Sequence, residues 1–318
     1  MTDILCYLDT RGGVGKYENQ SIVSLVRSED HYEGELQSLE PFRQRMQIAL
    51  SDIDSLVLKI NLVITRTPRY SEGVELATTP LEAVRGFLDF IQPFYNGRVI
   101  IAEEPAWGDT SDGFEFYGFA KLAAGYPQVE LLDLREDEVV TRKVIHPDGE
   151  LELPLSRAMV EAPFLVSITR PKTHCSVVMT AGIKNVLVGA IHGYGNRRKI
   201  HPERLIHYMI ASLAESVYPD FALVDGTVGM EGGGPVRGTA IDAGWVVSSF
   251  DALAVDTLAA HLMGFDVEDV GYLTLLGEKQ VGEVYPSDRI EVLGEKPADL
   301  FSPFKPHRNF KEKRKWKV

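Results

Sequence analysis

Cysteine is nearly absent from this chain: Cys6 and Cys175 are the only two in 318 residues. Two thiols cannot build a four-cysteine zinc or iron–sulfur site, and they give no disulfide framework. That usage fits a reducing, cytoplasmic setting. Long apolar runs are missing as well, so no segment reads as a membrane span. The first residues, MTDILCYLD, lack the basic region and following apolar stretch of a secretory signal. Positive charge is in deficit. A formal net charge of −13 disfavours general binding of nucleic acid or anionic membrane by the main body.

What is present describes an ordinary soluble globular chain, 44% hydrophobic and 25% charged. Its length suits one large domain or two intimate lobes, and it leaves oligomerisation open. The tail 305–318 is the exception, with seven Lys or Arg against Glu312. It reads first as a solvated, frayed terminus, and second as a contact for nucleic acid or an acidic partner.

A phosphate loop is also lacking, although TRGGVGKYENQ (10–20) contains GGVGK. Such a loop needs a Ser or Thr after its Lys, because that small hydroxyl ligates Mg²⁺. Tyr17 follows Lys16 here, and Thr10 stands where the first glycine belongs. The stretch is expected to be a glycine turn after a strand.

Apolar strand-like runs alternate with helix-like runs. SLVLKINLVI (55–64), GRVIIAEE (97–104), QVELLDL (128–134), FLVSITR (164–170), DFALVDG (220–226) and GWVVSSF (244–250) read as strands. PLEAVRGFLDFI (80–91), FYGFAKLAAGY (116–126), VVMTAGIKNVLVGA (177–190), PERLIHYMIASLAESV (202–217) and DALAVDTLAAHLMG (251–264) read as helices, with Asp251 as an N-cap. VEDVGYLTLLGEKQ (267–280) adds one more. The pattern predicts an α/β fold, with a largely parallel or mixed sheet and helices on both faces. Residues 136–154 look polar and irregular, so they are expected to separate an N-terminal lobe (1–150) from a C-terminal lobe (151–304).

The chemistry gathers in the second half. RPKTH (170–174) follows a strand, and in extended geometry Arg170, Lys172 and His174 point one way. In open α/β sheets, ligands bind at such strand ends. In the next run Lys184 is the only formal charge from Ser176 to Asn196, among neighbours that are apolar all round. A lysine so placed is desolvated and suits a base, a Schiff-base former or an anion clamp. Asn185 beside it can orient a ligand. Arg197, Arg198 and Lys199 make a local anion trap, and His201 precedes a helix start. Asp225 ends a strand, and Glu231 lies in MEGGGP, where Gly232 and Gly233 permit close backbone approach to a ligand. Asp256, inside an apolar helix, needs a buried partner.

PKTH (171–174), IKN (183–185), RRKIH (197–201), DGTVGMEGGGP (225–235) and SSFDALAVD (248–256) together resemble the Domain of Unknown Function 362 family. LKINLV (58–63) followed by TTP (78–80) is similar to its N-terminal pattern. Many relatives carry a Cys-rich, ferredoxin-like segment. This chain lacks it, so no iron–sulfur cluster is expected. A second resemblance is to the nickel-pincer lactate racemases, whose catalytic His, cofactor-tethering Lys and metal-binding His fall at spacings close to His174, Lys184 and His201. TRTP (65–68) resembles their arginine-containing substrate loop, although the glycine-rich context before their Lys is not reproduced.

The sequence therefore predicts a cytoplasmic enzyme acting on a small anionic molecule by acid–base, isomerase-like or metal-assisted chemistry. His174, Lys184 and Asn185 are the catalytic candidates. Lys172, Arg197, Arg66, Asn61, Gly232 and Gly233 are the substrate-binding candidates. His201, Asp225 and Glu231 are candidate ligands for a divalent metal. A non-enzymatic carrier of a cofactor or metal, and a redox enzyme with a bound cofactor, are the alternatives.

Overall fold

A computed structural model describes residues 20–65, 74–201 and 205–317. The glycine turn at 12–16 and Arg66 lie outside the described residues. Strands run in chain order β1 (Ser21–Arg27), β2 (Ser55–Lys59), β3 (Arg98–Glu103), β4 (Val129–Asp133), β5 (Val139–His146), β6 (Gly149–Ser156), β7 (Leu165–Thr169), β8 (Lys172–His174), β9 (Val178–Thr180), β10 (Phe221–Gly226), β11 (Gly229–Glu231), β12 (Thr239–Ile241), β13 (Trp245–Ser249) and β14 (Ile290–Gly294). An eight-stranded sheet has the order β14-β1-β13-β10-β7-β2-β3-β4. All its pairings are parallel except the two made by β13. This is the α/β architecture read from the sequence. The sheet takes strands from both sides of residue 150, so the two expected lobes share one set of hydrogen bonds.

Central strands bury both faces. β7, β10 and β13 are buried at every residue, which is why they read as unbroken apolar runs. Helices cover both sides and split the core into two clusters. One contains the Gly182–Gly189 and Ala252–Leu262 helices, the other the Leu81–Ile91 helix. Asp251 caps the Ala252–Leu262 helix as expected, accepting from the amides of Leu253 and Ala254. Asp256 faces inward and accepts from Gly182 N at 2.8 Å and Ile183 N at 3.0 Å. It thus holds the first turn of the helix that carries Lys184. Burial pushes its carboxyl up to about 7, although both amides pull it down.

Three local readings change. Residues 136–154 are not irregular. β5 and β6 form an antiparallel hairpin, and its exposed strands alternate in burial along their length. Val178–Thr180 is strand β9 rather than helix, because it pairs with β8, and the helix starts only at Gly182. The 116–126 run is broken at Gly118, whose φ of +85° ends one helix before the next begins at Phe119.

The basic tail is docked, not frayed. Trp316 is buried, and its indole N–H donates to Glu268 O at 2.8 Å. Its ring lies 5.6 Å from that of His207, over Gly271, where a Cβ would collide with the indole. Arg314 pairs with Asp269 at 2.7 Å. Trp316→Ala should therefore cost about 3 kcal/mol of stability. A urea titration checks this, and an unchanged midpoint would restore the frayed tail.

Candidate active site

The order of the sheet fixes where ligands can enter. From β2 the chain moves outward to β3 and β4, then returns to place β7 on the other side of β2. The loops leaving the carboxyl ends of β2 and β7 therefore diverge and open a crevice. Lys59 ends β2, Glu103 ends β3, and Arg170 and Lys172 follow β7.

The floor of this crevice is an ionic frame that sequence reading passed over. Lys59, 1% exposed, donates to Glu103 Oε2 at 2.8 Å and to Ile60 O at 2.6 Å. Glu103 also accepts from the amides of Leu62 and Glu104, so it orders the chain leaving β2. Asn185 donates to Lys59 O and Ser167 Oγ, while its oxygen accepts from Asn61 at 3.0 Å. Its amide is thus engaged by the protein, and it acts by joining β2, β7 and the Gly182–Gly189 helix. Glu104 accepts from Gly193 N at 3.0 Å, and its carboxylate lies 3.1 Å from Arg197 Nη2 without hydrogen-bond alignment. Arg197 is held instead through Nε to Ile191 O and Nη1 to Glu104 O.

Above this frame the balance is cationic. Lys59, Lys172, Lys184 and Arg197 are buried around two carboxylates, Glu103 and Glu104, while the buried Arg170 is offset by the charge of Asp225. Lys172 donates to Asn61 Oδ1 and, at 2.7 Å, to Ala77 O. Burial, then the neighbouring charges of Arg170 and Lys184, hold it well below the usual lysine value. Lys184 has no hydrogen-bond or ion-pair partner among the described residues. Burial brings it down to about 8.

His174 and His201 flank this lysine in opposite tautomers. His174 Nδ1 accepts from Ser176 N at 3.0 Å, so the neutral ring carries its proton on Nε2. His201 Nδ1 donates to Arg197 O at 2.6 Å, which leaves a lone pair on its Nε2. Burial keeps both rings neutral, and the charge of Lys184 adds to this for each. His201 also depresses His174, so the three groups sense one another. One imidazole presents an N–H, the other a lone pair, and both feel the charge of Lys184, which is unpaired among the described residues.

The family model for the Domain of unknown function DUF362 matches residues 56–261. The chain belongs to the DUF362 family. A thylakoid-associated protein of Synechocystis is 24% identical over 268 residues, covering 82% of this chain and 79% of that protein. Among solved structures, the lactate racemase apoprotein of Thermoanaerobacterium thermosaccharolyticum matches with a TM-score of 0.41 at 18% identity, over 65% of this chain and 50% of that one. A Thermotoga maritima protein matches with a TM-score of 0.37 at 10% identity, over 62% and 52%. The alignment thus spans about half the length of each solved structure.

In this DUF362 chain the remaining candidates border the Arg170–His174 segment without joining one ligand set. Asp225 is fully buried, accepting from Thr227 N and meeting His31 Nδ1 at 2.6 Å. Glu231 accepts from Lys305 N at 2.7 Å. His201, Asp225 and Glu231 are not gathered into one ligand set. Among the described residues, no group of three or more His, Cys, Asp or Glu side chains is placed to hold a metal ion. Gly232, at φ +72°, donates to Lys305 O and accepts from Thr173 Oγ1. Gly233 sits where a Cβ would meet Arg237 O at 2.3 Å. Gly232 thus meets the docked tail through Lys305. None of the described helices is long and apolar enough to cross a membrane.

Proposed function

We propose that this protein is an enzyme that binds a small carboxylate at the β2/β7 crevice and moves a proton on the adjacent carbon. The observation that carries the reading is the pair of opposite tautomers around the partnerless Lys184. A site with more buried cations than anions attracts an anion, whose charge relieves their mutual repulsion. As an ammonium, the form that a bound carboxylate favours, Lys172 uses two of its three N–H donors on Asn61 and Ala77 and keeps the third for the substrate carboxylate. Near pH 8 a substantial fraction of Lys184 is free amine, able to act as a base. His201 Nε2 or Lys184 takes the proton as the carbon–hydrogen bond breaks. His174 Nε2–H stands ready to return one to the resulting carbanion. That exchange is an isomerisation or racemisation without net oxidation.

The direct test is deuterium wash-in. A panel of small 2-hydroxy and 2-amino carboxylates is incubated with the protein in D₂O and followed by proton NMR. Loss of the α-proton signal is expected for at least one member, and on the order of a hundredfold slower loss with His174→Asn. Retained protons across the panel would remove the acid–base reading.

A second reading is a carrier or cofactor-dependent protein, favoured by the same unpaired amine and the outward lone pair of His201. Those two groups fit a cofactor attached through Lys184 and ligated by His201. A nickel-bearing group there would supply an electron-pair acceptor beside the substrate. Elemental analysis and the intact mass of purified protein separate the two readings.

A further inference from the structure

Several buried groups play no part in the proposed reaction, and they meet at another recess. It encloses about 240 Å³, with His31, Arg170, Glu75 and Glu82 in its lining. None of Lys172, His174, Lys184 or His201 lines it. Both of its principal polar groups are built in from behind. His31 opens the His31–Leu39 helix, upstream of the family match, and its Nδ1 lies 2.6 Å from Asp225 Oδ2. The other oxygen of Asp225 accepts from Thr227 N, so the carboxylate is an acceptor on both sides. His31 therefore donates through Nδ1, and its Nε2, which carries the lone pair in the neutral imidazole, has no partner among the described residues.

One turn along the same helix, Glu35 is buried with neither oxygen hydrogen-bonded. Burial, then the charge of Asp225, push its carboxyl well up.

Arg170 supplies the opposite polarity. It is 7% exposed, with Nε donating to Thr78 O and Nη1 to Val228 O. Its Nη2 has no partner among the described residues, and it is not sealed off from solvent. The recess thus offers a guanidinium donor fixed by two backbone carbonyls. It also offers an imidazole fixed by a buried carboxylate, with the carboxylate of Glu75 and that of Glu82, the latter paired with Arg85, in its lining. A donor of that kind takes a carboxylate. Acceptors beside such carboxylates take an ammonium group and repel a second negative charge.

We propose that this recess is a second binding site, selective for a small α-amino carboxylate: the carboxylate on Arg170, and the ammonium on His31 Nε2 and the acids of the lining. Nothing in this inference depends on proton transfer at Lys184.

The test uses the full chain and three probes by isothermal calorimetry: L-alanine, N-acetyl-L-alanine without the ammonium, and L-alaninamide without the carboxylate. Saturable alanine binding is expected, with each analogue on the order of tenfold weaker or more. His31→Phe should weaken alanine at this recess by a similar factor, whereas Lys184→Met should remove only carboxylate binding at the β2/β7 crevice and leave saturable alanine binding at the recess. Should His31→Phe fold poorly, the exposed change Glu75→Gln decides, with an expected loss of several-fold. Absent alanine binding, equal binding of all three probes, or binding lost in Lys184→Met but kept in Glu75→Gln would each overturn the proposal. The last result would place the ligand at the β2/β7 crevice instead.

Discussion

Lys184→Met is expected to make the ligand-free protein more stable at pH 7. Burial holds Lys184 at about 8 against an ordinary value near 10.5, so folding disfavours its charged form. For a lysine lowered in this way the penalty is complete below pH 8. It fades as pH rises toward the unfolded value. The difference corresponds to about 3 kcal/mol, which methionine avoids while filling similar volume. Melting should rise by roughly 5 °C or more at pH 7. The wild type should gain stability between pH 8 and pH 10 while the variant does not. The same change should cost ligand binding. Wild-type affinity for small carboxylates falls as pH passes 8, because Lys184, close to the carboxylate held on Lys172, loses its positive charge. In the variant, affinity is weak and flat with pH. A variant that melts like the wild type and responds to carboxylates like it would show that Lys184 is neither strained nor functional.

Glu103→Gln acts in the opposite direction. Among the described residues Glu103 is the one carboxylate hydrogen-bonded to Lys59, and it also takes the amides of Leu62 and Glu104. Neutralising it leaves a lysine that is 1% exposed without a counter-charge, in a place already crowded by Gly189, where a Cβ would meet Lys59 Cε at 2.5 Å. Removing one partner of a buried pair costs about 3–5 kcal/mol, whereas replacing both by apolar groups is often close to neutral. Chemical denaturation should show that loss for Glu103→Gln. The double variant Lys59→Met/Glu103→Gln should recover most of it. A single variant within about 1 kcal/mol of wild type would mean the pair is not the frame of the crevice.

These two lysines mark the limits of what the sequence disclosed. Lys184 stood out because a charge inside a wholly apolar helix is anomalous at a glance. Lys59 sits in LVLKI and Glu103 in IIAEE, where a charge after an apolar run looks like an ordinary strand end. Their meaning depends on two strand termini being neighbours in space, which no local pattern encodes. The contact between Asp225 and His31 spans 194 residues and was invisible for the same reason. PKTH and RRKIH were readable because three titratable groups follow a buried strand or precede a helix. The tautomers that give His174 and His201 different roles come from backbone hydrogen bonds and appear only in three dimensions.

Element types were legible where burial was uniform. β7 and β10 are buried throughout and mostly apolar, and their order along the chain implied a parallel sheet. Val177–Thr180 misled because a short apolar run fits a buried strand and a buried helix equally well. The β5–β6 hairpin was missed because its charged, exposed alternate positions outweighed the buried Val144, Leu153 and Leu155 between them. The tail misled by charge: seven basic residues hid the single tryptophan that anchors it.

The position of β1 carries a consequence for folding. The earliest strand described lies between β13 and β14, the two latest in the sheet. β2, β3 and β4 can pair with one another as they emerge, since each neighbours the next. β1 has no partner until more than two hundred residues of chain have followed it. Loop closure over that separation is slow. During synthesis, the Ser21–Arg27 segment waits as an unpaired apolar strand, and the half of the sheet beyond β10 closes only when β13 and β14 arrive on either side of it.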